Sequence, residues 1–124
     1  MCFICTNKTW RIARKAIPVY KILRKNGEAP YRPGFMYHKG YNKPYEQHAH
    51  CTYNPGNETY EFTWGILHCF DTKFPFHDKS AKLIKMYIPE GTQYIADGKG
   101  EIIAKELYWP TSLMDRIKWH RKSL

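Results

Sequence analysis

Residues 64–70 (WGILHCF) constrain this chain most, because apolar side chains follow one another there almost without polar relief and enclose a histidine and a cysteine. A strand with water on one side alternates polar and apolar residues. A continuous apolar run belongs instead on a central strand or a tightly packed bend with protein on both sides. The chain must therefore build a layered core around this segment. Residues 58–63 lead into it as a one-sided strand, since Tyr60, Phe62 and Trp64 share one face while Glu61 and Thr63 share the other. Gly65 interrupts the alternation between the two.

The same period of two recurs on both sides. In residues 16–23 (AIPVYKIL), Ile17, Val19 and Leu23 point one way with Lys21, and Tyr20 and Ile22 the other; Pro18, which cannot donate to a ladder, marks a strand start or an edge. Residues 83–88 align Ile84, Met86 and Ile88 on one side, and Pro89 and Gly91 then fit a type I turn. A second turn at Asp97, Gly98 and Gly100 pairs residues 92–96 with 101–109 as a hairpin. Residues 26–57 break the pattern with Pro30, Pro33, Pro44 and Pro55 and with Tyr31, Tyr37, Tyr41, Tyr45 and Tyr53, which predicts a long Tyr/Pro/Gly-rich loop region holding a short strand within 35–38. Between 71 and 82, Pro75 confines any helix to the residues after it, and Asp78 or Ser80 opens no more than a short turn. Pro110 ends the last strand, and Thr111 or Ser112 caps a C-terminal helix over 111–122. Leu113, Met114, Ile117 and Leu124 share one arc of it with His120 at the border and Asp115, Lys118 and Lys122 opposite, so the apolar arc is expected to dock. The expectation is a single domain over 1–124 of the α+β class, a small mixed or mainly antiparallel sheet with one C-terminal helix packed on it.

The chain's 124 residues suit one domain that can bury a core without staples, and no segment approaches the roughly 20 apolar residues that span a bilayer. The start of the sequence lacks the basic and then apolar pattern of a secretory signal, which predicts a cytoplasmic protein with Cys2, Cys5, Cys51 and Cys69 as thiols. The net charge of +9 draws acidic partners of any kind. Its cations gather early, at Lys8, Arg11, Arg14, Lys15, Lys21, Arg24 and Lys25, and late, at Arg116, Lys118, Arg121 and Lys122. They form one patch if these two regions meet and two if they do not.

Four constellations could carry chemistry. Cys2, Cys5, His50 and Cys51 supply zinc-type ligands, although adjacent His50 and Cys51 would have to curl around one ion; the competing reading is unliganded thiols with His48 and His50 in a solvated loop. Cys2 with Cys5 has redox spacing but no strand before it, and Cys2 alone would become a nucleophile beside its own amine only if Met1 were removed. His68 and Cys69 are strand neighbours and point to opposite faces, so they do not form a dyad; Cys69 reads as a small buried hydrophobe. His68 reads as an interior ring bonded to backbone or to a tyrosine, or else as a group facing a pocket. Tyr31 and Arg32, with the alternating rings and cations of residues 38–45, could stack on nucleic acid or simply pack on a sheet. Phosphate-loop, dinucleotide and zinc-protease motifs do not occur, and no catalytic, cofactor-binding or metal residue is assigned.

As a set, Met1-Cys2, the run 17–23 (IPVYKIL), Gly65 with 66–70 (ILHCF), the run 88–94 (IPEGTQY) and the glycine-bounded strand of 100–107 resemble a group of small uncharacterised phage and bacterial proteins. That resemblance implies a phage or prophage setting and a mixed α/β fold, and it brings no established activity. The functional expectation is a small basic accessory protein, first a protein-binding module. The alternatives are nucleic-acid binding through the Tyr/Lys/Arg-rich loop and the basic C-terminal helix, and a small enzyme with a pocket around His68.

Overall fold

A computed structural model describes residues 3–6, 8–30, 35–46, 48–73 and 79–124. Cys2, Tyr31, Arg32, Pro75 and Asp78, on which some of the expectations above rest, lie outside the described residues. The strands are β1 (Phe3–Cys5), β2 (Arg11–Ile12), β3 (Ile17–Arg24), β4 (Gly40–Asn42), β5 (His50–Asn54), β6 (Thr59–Trp64), β7 (Leu67–Phe70), β8 (Ala81–Ile88), β9 (Gln93–Ala96), β10 (Glu101–Ala104) and β11 (Leu107–Trp109), followed by helix α1 (Leu113–Lys122). One sheet has the order β2-β9-β10-β7-β3-β8-β11-β4 and the other β1-β6-β5. All the strand pairings among the described residues are antiparallel.

The larger sheet is strongly curled, and its connectivity requires this. β10 and β11 are separated in the sheet by β7, β3 and β8, yet only Lys105 and Glu106 join them. A flat sheet would hold them about 19 Å apart, whereas three trans peptide steps reach at most about 11 Å. The sheet must roll until its ends approach. Val19 and Leu23 of β3, Leu67 and Cys69 of β7, Met86 and Ile88 of β8, Ile102 and Ala104 of β10 and Leu107 of β11 accordingly meet in one buried cluster, closed by Ala29, Phe35 and Tyr37. The expected continuous strand over 101–109 is thus two strands with different neighbours, broken at a corner where the Lys105 amide donates to the Gln93 carbonyl at 3.1 Å.

Each alternate residue faces outward, and two outer patches are covered. Ile95 and Ile103 pack against Phe3, Cys5, Phe62 and Ile66, so the small sheet lies on β9, β10 and β7. Within the apolar run of 64–70, Leu67–Phe70 is therefore a strand covered on both faces, paired with β10 and, through Tyr20 and Phe70, with β3, while Trp64 ends β6 half exposed. Gly65 makes its entry possible: its φ is +71°, and a Cβ there would overlap the His48 carbonyl.

Two further expectations change. The region 26–57 holds β4 and β5, while 35–38 contributes only the isolated bridge from Met36 to Glu28. Tertiary partners select the strands here: β4 finds β11, and β5 finds β6. Second, α1 docks on the side expected to meet water. Asp115 and Trp119 face the sheet, Trp119 is the helix's one buried residue, and Leu113, Met114 and Leu124 are exposed. Pro18, Tyr87, Tyr108 and Tyr41 line up across β3, β8, β11 and β4 by strand register. Trp119 covers the three tyrosines of that row, stacked on Tyr108 at 4.2 Å between centroids and lying 5.7 Å from Tyr87 and 6.1 Å from Tyr41. One indole on three rings buries more apolar surface than an edge of leucine and methionine could reach.

Candidate functional site

The turn into α1 fixes the helix's rotation. Ser112 is the N-cap and its hydroxyl accepts the Asp115 amide at 3.2 Å. The Asp115 carboxylate accepts the Tyr108 hydroxyl at 2.6 Å and the Thr111 amide at 2.9 Å, and these bonds hold its pKa down. The same bond to Asp115 raises the Tyr108 pKa. With Tyr108 and Trp119 pinned, the helix stands beside β8 and leaves a groove of about 560 Å³ between them.

The groove has an apolar floor and a cationic rim. Leu83, Ile84, Tyr87, Trp109 and Pro110 form the sheet side, and Ile117 forms the apolar part of the helix side. Lys85 rises from the sheet, and Arg116, His120 and Arg121 from the helix. No acidic residue is among the described residues lining it. Its size falls in the range of ligand-binding clefts, and its charge selects an anion joined to something apolar. Leu113 and Met114, 69% and 74% exposed, extend the apolar surface beyond the groove along the helix.

The basic residues divide between several uses. Ala16 is buried against Tyr87 and Trp119, which anchors near α1 the end of the segment that carries Arg14 and Lys15. Lys8 lies over the Tyr60 ring, Lys21 over Tyr37 and Lys122 over Trp119, and Arg24 pairs with Glu28 at 3.6 Å. The loop rings are also engaged within the protein: Tyr41 packs on Tyr108 and Trp119, and Tyr37 and Tyr45 each pack on Phe35.

No family model, curated protein or solved structure matches the chain. What this chain's own side chains can do is therefore the whole basis for a functional reading.

The other sequence candidates lie away from the groove. Cys5 is buried in the core beneath the small sheet and Cys51 is exposed on β5; β6 runs between their strands, and Cys5 stands opposite Tyr60 while Cys51 stands opposite Phe62, so two strand spacings and a two-residue offset separate them by about 12 Å. His50 contacts Glu46 at 3.4 Å. The structure does not bring Cys5 and Cys51 together, and among the described residues no group of three or more His, Cys, Asp or Glu is positioned to hold a metal. Cys69 is fully buried, and burial pushes its thiol up to about 12, so it carries no thiolate at neutral pH.

His68 and Cys69 face opposite sides of β7, as the period of two requires. The His68 ring is 10% exposed, packed 5.1 Å from Phe70 and 6.4 Å from Phe3. Its Nε2 lies 3.1 Å from Glu101 Oε1, so its partner is a carboxylate rather than the backbone or tyrosine expected. Burial, with Lys21 nearby, pulls the imidazole down to about 4, and the ring is neutral at pH 7. The contact is then a hydrogen bond in which Nε2–H donates, not an ion pair. Burial and the adjacent Asp97 carboxylate raise the Glu101 pKa in turn. The arrangement cross-links β7 to β10 under the small sheet.

The groove is not legible in the sequence because it depends on how α1 is rotated. The signal was nonetheless present: Trp119 is the largest side chain in the helix, and it lies outside the leucine and methionine arc.

Proposed function

We propose that this chain is a small basic binding module whose partner is a protein bearing an acidic segment with apolar side chains, held in the groove between β8 and α1. One observation carries the reading: an apolar floor rimmed by Lys85, Arg116, His120 and Arg121 with no carboxylate among the described lining residues. Arginine forks suit carboxylates, and the floor offers the apolar burial that charge alone does not supply. The nucleic-acid reading is less well supported: Trp119 is buried and stacked on Tyr108, and Tyr41, though half exposed, packs edge-on against both, so these rings are already engaged with one another. A cytoplasmic accessory role, in the host cytoplasm if the chain is phage-encoded, goes with this reading. No helix among the described residues is long and apolar enough to cross a membrane.

Fluorescence anisotropy tests it with a labelled octapeptide of glutamates around one phenylalanine, a glutamine analogue, and a single-stranded oligonucleotide of equal charge. The acidic peptide is expected to bind, the glutamine analogue not, and the pair Arg116→Glu and Arg121→Glu to weaken binding at least about tenfold. Peptide binding that survives both reversals overturns the groove reading. Tighter oligonucleotide binding through the same arginines, with a steep salt slope, replaces the protein partner with nucleic acid.

A further inference from the structure

A second concave site lies where β2 runs along β9. Arg11 stands opposite Tyr94 in that ladder, and Arg14 and Lys15 follow in the segment that leaves β2. That segment is clamped at both ends. The Ala13 amide donates to the Thr92 carbonyl at 2.9 Å, and the Ala13 carbonyl accepts from the Gly91 amide at 2.8 Å. Ala13 is buried in the main core, and Ala16 against Tyr87 and Trp119. Arg14 and Lys15 occupy the two exposed positions between these anchors, so backbone bonds and two buried alanines hold their Cα positions. With Arg11 they surround a pocket of about 470 Å³ whose remaining walls are Ile12, Ile17 and Tyr94; no acidic residue is among the described lining.

We propose that this pocket binds a phosphate monoester carried on a flat organic body, with the phosphate held by Arg11, Arg14 and Lys15 and the body resting on Tyr94 and Ile17. Two guanidinium forks and an ammonium match the two charges and three terminal oxygens of a monoester. A single carboxylate fills one fork and leaves the other cations unmatched. The pocket is also larger than bare phosphate requires, and its uncharged wall is an aromatic ring and an isoleucine. It shares no lining residue with the groove, so it stands or falls separately from that reading.

Amide shifts of isotopically labelled protein, followed at fixed ionic strength, test this with inorganic phosphate, phenyl phosphate and a nucleoside 5′-monophosphate as probes. Saturating shifts are expected at residues 12–15 and Tyr94, with at least one ester binding fivefold or more tighter than inorganic phosphate. The order of the two esters tells whether the body is a simple arene or a nucleoside. Arg11→Lys and Arg14→Lys, which keep charge and lose the fork, are each expected to weaken the ester several-fold, while Arg116→Glu with Arg121→Glu leaves it unchanged. Equal affinity for inorganic phosphate and both esters, shifts that climb without saturating at scattered lysines such as Lys39 and Lys79, or full affinity in both lysine variants would each overturn the proposal.

Discussion

Burial pulls His68 from 6.5 down to about 4, and the consequence for stability has a definite sign. The unfolded chain takes up this proton near pH 6.5 and the folded protein only near 4. The stability is therefore complete above 6.5 and lost as pH falls between the two, by about 3 kcal/mol at most. Glu101 acts the other way: a carboxyl raised by folding contributes below its unfolded value and loses that contribution as pH rises, so it softens the acid loss. Urea midpoints measured from pH 7 to 4 should fall in the parent protein and fall distinctly less in His68→Gln; parallel slopes would assign the titration elsewhere. Thiol reactivity separates two other residues. Cys51, exposed on β5, should react with a thiol reagent at once, and Cys69, buried and raised to about 12, only at the rate of global unfolding. That Cys69 is interior and His68 on the reverse face could be read from alternation. The partner of His68 could not, because Glu101 is 33 residues away and the period says nothing about which strand lies alongside.

At the level of elements, α1 is the sharpest case. Its boundaries and cap were legible, because Pro110 and Ser112 act locally. Its docked side was not, because the leucine and methionine arc and Trp119 compete and the winner depends on what the sheet presents. The row of Tyr87, Tyr108 and Tyr41 decides for Trp119. Trp119→Ala should therefore cost about 3–5 kcal/mol in chemical denaturation, whereas Leu113→Ala and Met114→Ala should each stay within about 0.5 kcal/mol. A large loss from Leu113→Ala would mean that the helix docks on the other side. β4 and β5 escaped notice for a related reason. Each of the five residues of β5 is exposed, so its sequence carries no buried face to betray it, and only its ladder with β6 makes it a strand.

For the whole molecule, the corner at Lys105 and Glu106 turns an open sheet into a curled one. Lys105 is itself fastened there, donating to the Gly65 carbonyl at 3.3 Å and lying 5.0 Å from the Trp10 ring, and burial lowers its pKa. The strands that enclose the common core should open only with global unfolding, while β5 should open locally. Hydrogen exchange checks this: the slowest amides are expected in β3, β7, β8 and β10 and the fastest strand amides in β5. Uniform protection over both sheets would contradict the division.

Alternation, turn chemistry and the capping signals determined β3, β6, β7, β8 and β9, the stretch that holds β10 and β11, the helix and the interior place of residues 66–69, because each of these is written within a few consecutive residues. Tertiary structure alone decided the curl of the sheet, the partner of His68, the separation of Cys5 from Cys51 and the face on which α1 lies. Those outcomes depend on which side chains meet across long stretches of chain, and in this protein the candidate groove is one of them.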